Sequence, residues 1–323
     1  MTLTNQYEQA INEALASMNF PANPAELYDP IRYTLENGGK RMRPQLVLMA
    51  ADLISGDFKS SIQPALGIET FHNFTLLHDD IMDNAPLRRG HDTVHVKWNS
   101  NIAILSGDVM FVEACRLMSA APNHALNKVL QVFYKAAIEV CEGQQYDMNF
   151  EQLDNVHIEE YIDMIRLKTA VLLGASMQIG ALCARAVDED AALLYDFGCH
   201  LGIAFQLMDD ILDVYGDPAK FGKQVGGDIL ANKKTYLSIQ AFEKAEGNIK
   251  EALVRWYSTR DLDLAKVVHV TELFDTLKVR QDAEAEIESH YALAIAALDK
   301  LNAPSERKAH VYAFAERLMQ REK

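Results

Sequence analysis

A chain of 323 residues with 49% hydrophobic and 24% charged side chains, 9 prolines and no low-complexity stretch has the composition of one large globular domain. Its formal net charge of −15 argues against nucleic acid as a partner and requires that any phosphorylated ligand be met by metal ions or a local basic cluster. Cys115, Cys141, Cys183 and Cys199 lack metal-ligand spacing and read as free thiols, Met1–Met18 is too polar for a signal peptide, and no apolar run reaches the length of a membrane span, so a cytoplasmic protein is expected.

Long stretches without a breaker, rich in Ala, Leu, Glu, Met and Ile, predict an all-α fold with ten or more helices in a single domain over residues 1–323. Asn5–Met18 has a helical pattern closed by Pro21 and Pro24. Ala25–Glu36 is a second helix, stopped by Asn37-Gly38-Gly39, a C-cap signal. Lys40-Arg41-Met42-Arg43-Pro44 follows. Cations beside two glycines form a candidate phosphate site, because glycine lets backbone approach an oxyanion while Arg offers a planar fork and Lys a point charge. A solvated basic loop is the plainer alternative. Gln45–Ile54 reads as a buried helix.

Ser61–Asp83 is a long helix ending in Asp79-Asp80-Ile81-Met82-Asp83, and Asn84-Ala85-Pro86 terminates it. A second basic pair, Arg88-Arg89, comes next. His91 and His95 stand four apart in what reads as loop, with no third ligand that would make a zinc site. Ile102–Ala120 and Leu126–Met148 are helices. The second contains Gly143-Gln144-Gln145, unfavourable inside a helix and explained either by close packing or by a polar pocket wall. Glu159–Ala184 reads as one long helix carrying Lys168-Thr169, where the lysine either snorkels or points into a cavity. Ala191–Val214 is the second motif helix, with Gly198 and Gly202 spaced for close helix approach or ligand room, then Gln206 and Asp209-Asp210-Ile211-Leu212-Asp213. Tyr215–Asn232 is a glycine-rich, lysine-bearing loop with the profile of a mobile lid. The remainder, from Tyr236, is amphipathic helix without a chemical signal.

Residues four apart share a helix face, so Asp79 lies with Asp83 and Asp209 with Asp213. Like charges at that spacing near a helix C-terminus repel each other and oppose the helix dipole, and a cation should compensate. Carboxylate oxygens without sulfur or imidazole suit Mg²⁺, which keeps waters and accepts phosphate oxygens. A solvated acidic helix end explains one such motif more easily than two embedded in apolar sequence. With two basic clusters and the apolar Phe71, Phe74, Leu77 and Phe205 nearby, the pattern suggests a diphosphate with a hydrocarbon tail. Nothing matches a P-loop, a dinucleotide fingerprint or a serine elbow.

At these residues the chain resembles the trans-isoprenyl diphosphate synthases, in several motifs occurring in order. Gly38-Gly39-Lys40-Arg41-Met42-Arg43-Pro44 is similar to that family's isopentenyl diphosphate motif. Asp79–Asp83 with Arg88-Arg89-Gly90 is similar to its first aspartate-rich motif. Gly143-Gln144 with Asp147, Lys168-Thr169, Phe205-Gln206, Asp209–Asp213, Gly222-Lys223 and Asn232-Lys233 follow. The resemblance implies helices around a central cavity and, usually, a homodimer. It implies two or three Mg²⁺ ions bridging Asp79, Asp83 and Asp209 to an allylic diphosphate, with Asp80 and Asp213 supporting them. Arg88, Lys168, Lys223 and Lys233 would take up phosphate charge. Thr169 and Gln206 would turn oxygens toward the allylic cation, while Lys40, Arg43, His72 and Arg89 hold isopentenyl diphosphate. Its double bond attacks, and the departing diphosphate serves as base.

Product length should depend on what blocks the hydrocarbon tunnel one to two turns before Asp79, about 6–12 Å down the helix. An aromatic Phe74 beside a small Thr75 resembles geranylgeranyl diphosphate synthases, implying a twenty-carbon product, with fifteen-carbon farnesyl diphosphate as the alternative. A terpene cyclase would have a mixed Asn/Ser/Glu second motif, and a non-catalytic partner subunit would have lost acids or arginines that are all present here.

Overall fold

In a computed structural model, residues 3–217, 225–258 and 264–320 are described. The chain divides into two compact units: Met1–Lys135, Ala175–Tyr195 and Leu301–His310 form the first, and Ala136–Gly174, Asp196–Lys300 and Val311–Lys323 the second. The described residues are helical almost throughout, as the all-α expectation requires.

In the first unit, α1 (Leu3–Ala16), α2 (Ala25–Glu36), α3 (Met42–Ser55), α4 (Ile62–Met82), α5 (Val94–Lys97) and α6 (Ser100–Met118) follow in order. Ile31 and Leu35 of α2, Leu77 of α4, and Ala103 and Met110 of α6 bury a common core. The middle of α4 is buried on every side, from Pro64 to Phe71, as expected of a helix apolar all round. Glu69 sits in that stretch, 2% exposed. It is tolerated because Arg41 Nη1 donates to it at 2.8 Å and Asn73 Nδ2 at 3.0 Å. The segment after α4, expected to be loop, instead forms a short antiparallel ribbon, β1 (Leu87–Arg88) and β2 (His91–Asp92), with Leu87 opposite Asp92 and Arg88 opposite His91.

The second unit holds α8 (Ile158–Ile165) and most of α10 (Asp188–Tyr215), then α11 (Gly227–Leu230), α12 (Tyr236–Lys244), α13 (Gly247–Tyr257), α14 (Leu264–Leu277) and α15 (Val279–Lys300). Leu207, Ile211, Leu237, Leu253 and Phe274 are among its core. Helices α7 (Leu126–Phe150), α9 (Val171–Cys183) and α16 (Ser305–Met319) complete the described elements. Three sequence expectations need correction here. The continuous helix over 159–184 is interrupted by a π turn, Arg166–Ala170, between α8 and α9. The end of the expected lid is ordered, with residues 227–230 forming α11. Finally, α10 is long and apolar enough to cross a bilayer (28 residues, best-window mean hydropathy 1.3), although no such run was expected. It is a core helix with 56% of that window buried, and it carries the second aspartate motif.

Candidate active site

The first aspartate motif closes α4. The Asp83 amide donates to Asp79 O at 2.9 Å, and Asn84, at φ 49°, turns the chain away. Asp80 points into the protein, 5% exposed, and Arg88 Nε donates to its Oδ1 at 2.7 Å. Burial raises the Asp80 carboxyl above its ordinary range while Arg88 pulls it back. Asp79 is half-buried and Asp83 exposed, so the outer two carboxylates stay on the accessible side.

The ribbon brings the arginine pair beside the basic loop. Arg89, at φ 55°, donates through Nη1 to Gly38 O. Gly39 suits this position because its φ of 144° would strain any residue with a side chain. His72 Nε2 is 3.0 Å from Arg43 Nη1. Burial, and then the charges of Arg43, Arg89, Arg88 and Arg41, hold His72 well below its usual pKa. It is therefore neutral and accepts the guanidinium N–H. Lys40 is exposed. Arg41, by contrast, is spent on the fold, bonded to Glu69 and to Leu35 O at 2.6 Å. A shallow open pocket is lined here by Tyr33, Asn37, Asn73, Asp80, Arg88 and Arg89, among others. On α4, the Phe74 ring meets Phe71 at 5.6 Å and Phe111 of α6 at 5.4 Å, and Thr75 Oγ1 donates to His72 O at 2.8 Å. Phe111 escaped the sequence reading because only the packing of α6 on α4 brings it to Phe74.

The second motif lies inside α10. Asp210 is 4% exposed, and its Oδ2 accepts the Tyr161 hydroxyl at 2.6 Å and the Tyr236 amide at 3.2 Å. Burial pushes its pKa up to about 7, against the Tyr161 hydrogen bond. Asp209 is half-buried. Asp213 Oδ2 accepts the Asp228 amide at 3.0 Å, so at least one of its oxygens is engaged by the start of α11. The sequence reading missed Asp210 as a buried anchor, although it is the counterpart of Asp80 in the repeat. Tyr161 and Tyr236 carried no sequence signal.

Lys168 and Thr169 ride on the π turn. Lys168 Nζ bonds Asp147 Oδ2 at 2.5 Å, and Thr169 Oγ1 donates to Gln206 Oε1 at 3.2 Å. The alternatives for Gly143 resolve to close packing, since a Cβ there would sit 2.3 Å from Lys168 N. Gly198 and Gly202 likewise face the backbone of Gly174 and Ala170. π turns mark functional positions in many helices, and this one widens the helix where Lys168 leaves it. Lys233 is exposed, its amide bonded to Asp228 O at 2.9 Å. Lys223 and Gly222 lie outside the described residues.

Among the described residues no three acid, imidazole or thiol groups converge into a ready-made cage. On α4, Asp79 is half-buried and Asp83 exposed, and on α10 Asp209 is half-buried; Asp80 and Asp210 are bonded inward. Carboxylate oxygens without sulfur or imidazole suit a hard cation that completes its shell with water and phosphate oxygens.

The folding pattern and its aspartate motifs define an isoprenoid-synthase enzyme. The chain belongs to the polyprenyl synthetase family, which it matches over residues 24–274, and is a trans-prenyltransferase. It is 39% identical to a geranylgeranyl diphosphate synthase of Methanosarcina mazei over 249 residues, covering 76% of this chain and 77% of that one. It is 35% identical to a geranylgeranyl diphosphate synthase of Sulfolobus acidocaldarius over 306 residues, 94% of this chain and 92% of that one. A crystal structure of a geranylgeranyl pyrophosphate synthase, 41% identical, superposes with a TM-score of 0.95 over 100% of both chains.

Proposed function

We propose that the enzyme condenses isopentenyl diphosphate with allylic diphosphates to give geranylgeranyl diphosphate. The observation that carries this reading is the division of labour within the motifs: the middle aspartate of each is drawn inward, while Asp79, Asp83 and Asp209 keep more exposure. Two or three Mg²⁺ ions held by Asp79, Asp83 and Asp209 would absorb the charge that develops on the leaving diphosphate. Asp80 supports this arrangement by fixing Arg88, and Asp213 by fixing α11. Arg88, Lys168, Lys223 and Lys233 bind the allylic diphosphate. Lys40, Arg43 and Arg89 bind isopentenyl diphosphate, with neutral His72 orienting Arg43. Thr169 and Gln206 supply oxygen dipoles toward the reacting carbon.

The twenty-carbon product is supported by the names of the relatives and by the Phe71–Phe74–Phe111 cluster, a bulky stop beneath the first motif. Farnesyl diphosphate is the second reading, in which the same cluster stops growth at fifteen carbons. The test is mass spectrometry of products from Mg²⁺, isopentenyl diphosphate and five-, ten- or fifteen-carbon allylic diphosphates. A twenty-carbon product is expected, lengthened in Phe74→Ala; an unchanged Phe74→Ala product overturns the stop.

A homodimer fits the apolar side chains left in water on α6, Leu105 at 58% and Val112 at 67% exposed. A single functional domain fits the unit boundaries, several of which fall within helices rather than linkers. A reducing cytoplasm fits Cys115, Cys141, Cys183 and Cys199, all free.

A further inference from the structure

Lys233 is presented by a short segment, residues 226–236, whose fixed points come largely from other elements. At one end, the Gly226 amide donates to Asp213 O at 2.6 Å and the Asp228 amide to Asp213 Oδ2 at 3.0 Å. At the other, the Tyr236 amide donates to Asp210 Oδ2 at 3.2 Å. Between them, Ser238 Oγ donates to Lys233 O at 3.1 Å. The last anchor is Lys266 on α14. Its side chain is fully buried at 0% exposure. Its Nζ donates to Asn232 Oδ1 and stands 5.4 Å from the centroid of the Tyr257 ring. The next residue, Val267, fills the space over Gly226, where a Cβ would lie 2.4 Å from Val267 Cγ1. Helix α14 thus grips α11 at both ends.

A lysine amine taken wholly out of water is costly unless it is bonded, and a methionine would fill much the same volume. Among its described contacts, the amine adds a hydrogen bond to an asparagine in the left-handed region, φ 56°. Only a few residue types adopt that conformation readily. It sets the direction in which the chain leaves α11, and so the position of the next residue, Lys233.

We propose that Lys266 is a positioning residue for Lys233: through Asn232 it fixes the turn that aims the Lys233 ammonium at the allylic diphosphate. This rests on the diphosphate-binding role given to Lys233 above. The charge that recognises the ligand is Lys233's, and Lys266 remains buried throughout.

The experiment is steady-state kinetics of the full-length enzyme with Mg²⁺, isopentenyl diphosphate and an allylic diphosphate, with thermal unfolding in parallel. Lys266→Met and Asn232→Gly are each measured with Lys233 and in the Lys233→Ala background. Each is expected to lower kcat/KM for the allylic diphosphate on the order of tenfold when Lys233 is present, and to add less than about twofold once Lys233 is alanine. Asn232→Gly preserves the backbone conformation and carries the test should Lys266→Met fold poorly. Equal losses in both backgrounds would make Lys266 merely structural and overturn the proposal, as would an effect within about twofold with Lys233 present. Full activity of Lys233→Ala alone would instead overturn the role given to Lys233, a separate and distinguishable failure.

Discussion

Asp80 and Asp210 hold the same place in two nearly identical pentapeptides, and both are withdrawn from solvent, but they meet different partners. Asp80 is bonded to a guanidinium, Arg88, in a region where three further arginines surround His72. Asp210 accepts from neutral donors, the Tyr161 hydroxyl and the Tyr236 amide, and burial raises it to about 7. The first motif is embedded in charge and the second in hydrogen-bonded, close-packed backbone. One spelling therefore places its outer carboxylates by two physical routes, an ion pair in one case and dipoles in the other.

The outer carboxylates should behave alike despite this difference. Asp79→Asn and Asp209→Asn are each expected to lower Mg²⁺-dependent diphosphate release on the order of 10²–10³-fold. Full activity in either would break the symmetry of the two motifs. The backbone-packed side is expected to be the less forgiving of added volume. Gly143→Ala, with its Cβ 2.3 Å from Lys168 N, should cost about 1–3 kcal/mol in denaturant unfolding and lower activity with it, because the π turn carrying Lys168 must move.

The inner carboxylates should separate the two routes. Asp80→Asn leaves Arg88 without its charge partner and should cost about 1–2 kcal/mol, less than a fully buried pair because Arg88 keeps 37% of its side chain exposed. In Asp210→Asn the amide oxygen can accept both existing donors, so the loss should stay below about 1 kcal/mol. Comparable unfolding midpoints for the two variants would contradict the comparison. The smallest effect expected is on pH dependence. His72 has a folded pKa depressed below 6.5, so the unfolded chain binds the proton more readily. The stability that neutral His72 contributes is present above the unfolded pKa and is lost as pH falls below about 6.5. His72→Gln, which keeps an acceptor for Arg43, should flatten the slope of unfolding free energy between pH 7.5 and 5.5.

Helix positions and the outer aspartates were legible because they rest on local spacing. Ala25–Glu36 followed by Asn37-Gly38-Gly39 forms α2 with the bounds its composition indicates. The basic loop and arginine pair were legible as charge, but not in their division: Arg41 turns inward to Glu69 while Arg43 turns to His72. The π turn was not legible. The α7 backbone at Gly143 presses against Lys168 from another part of the chain, a contact that local spacing does not reveal. Nor was the Phe111 ring beneath Phe74, which α6 supplies, or Lys266, an ordinary charged position in an amphipathic helix.

The sequence by itself determined the helical class, the paired carboxylates and the family, because periodicity, caps and i, i+4 spacing act between near neighbours along the chain. Tertiary structure decided which aspartate of each motif turns inward, which arginine is given up to the fold, and how Lys233 is held. Those outcomes depend on burial and on partners such as Arg88, Tyr161, Tyr236 and Glu69, brought together only when the helices pack.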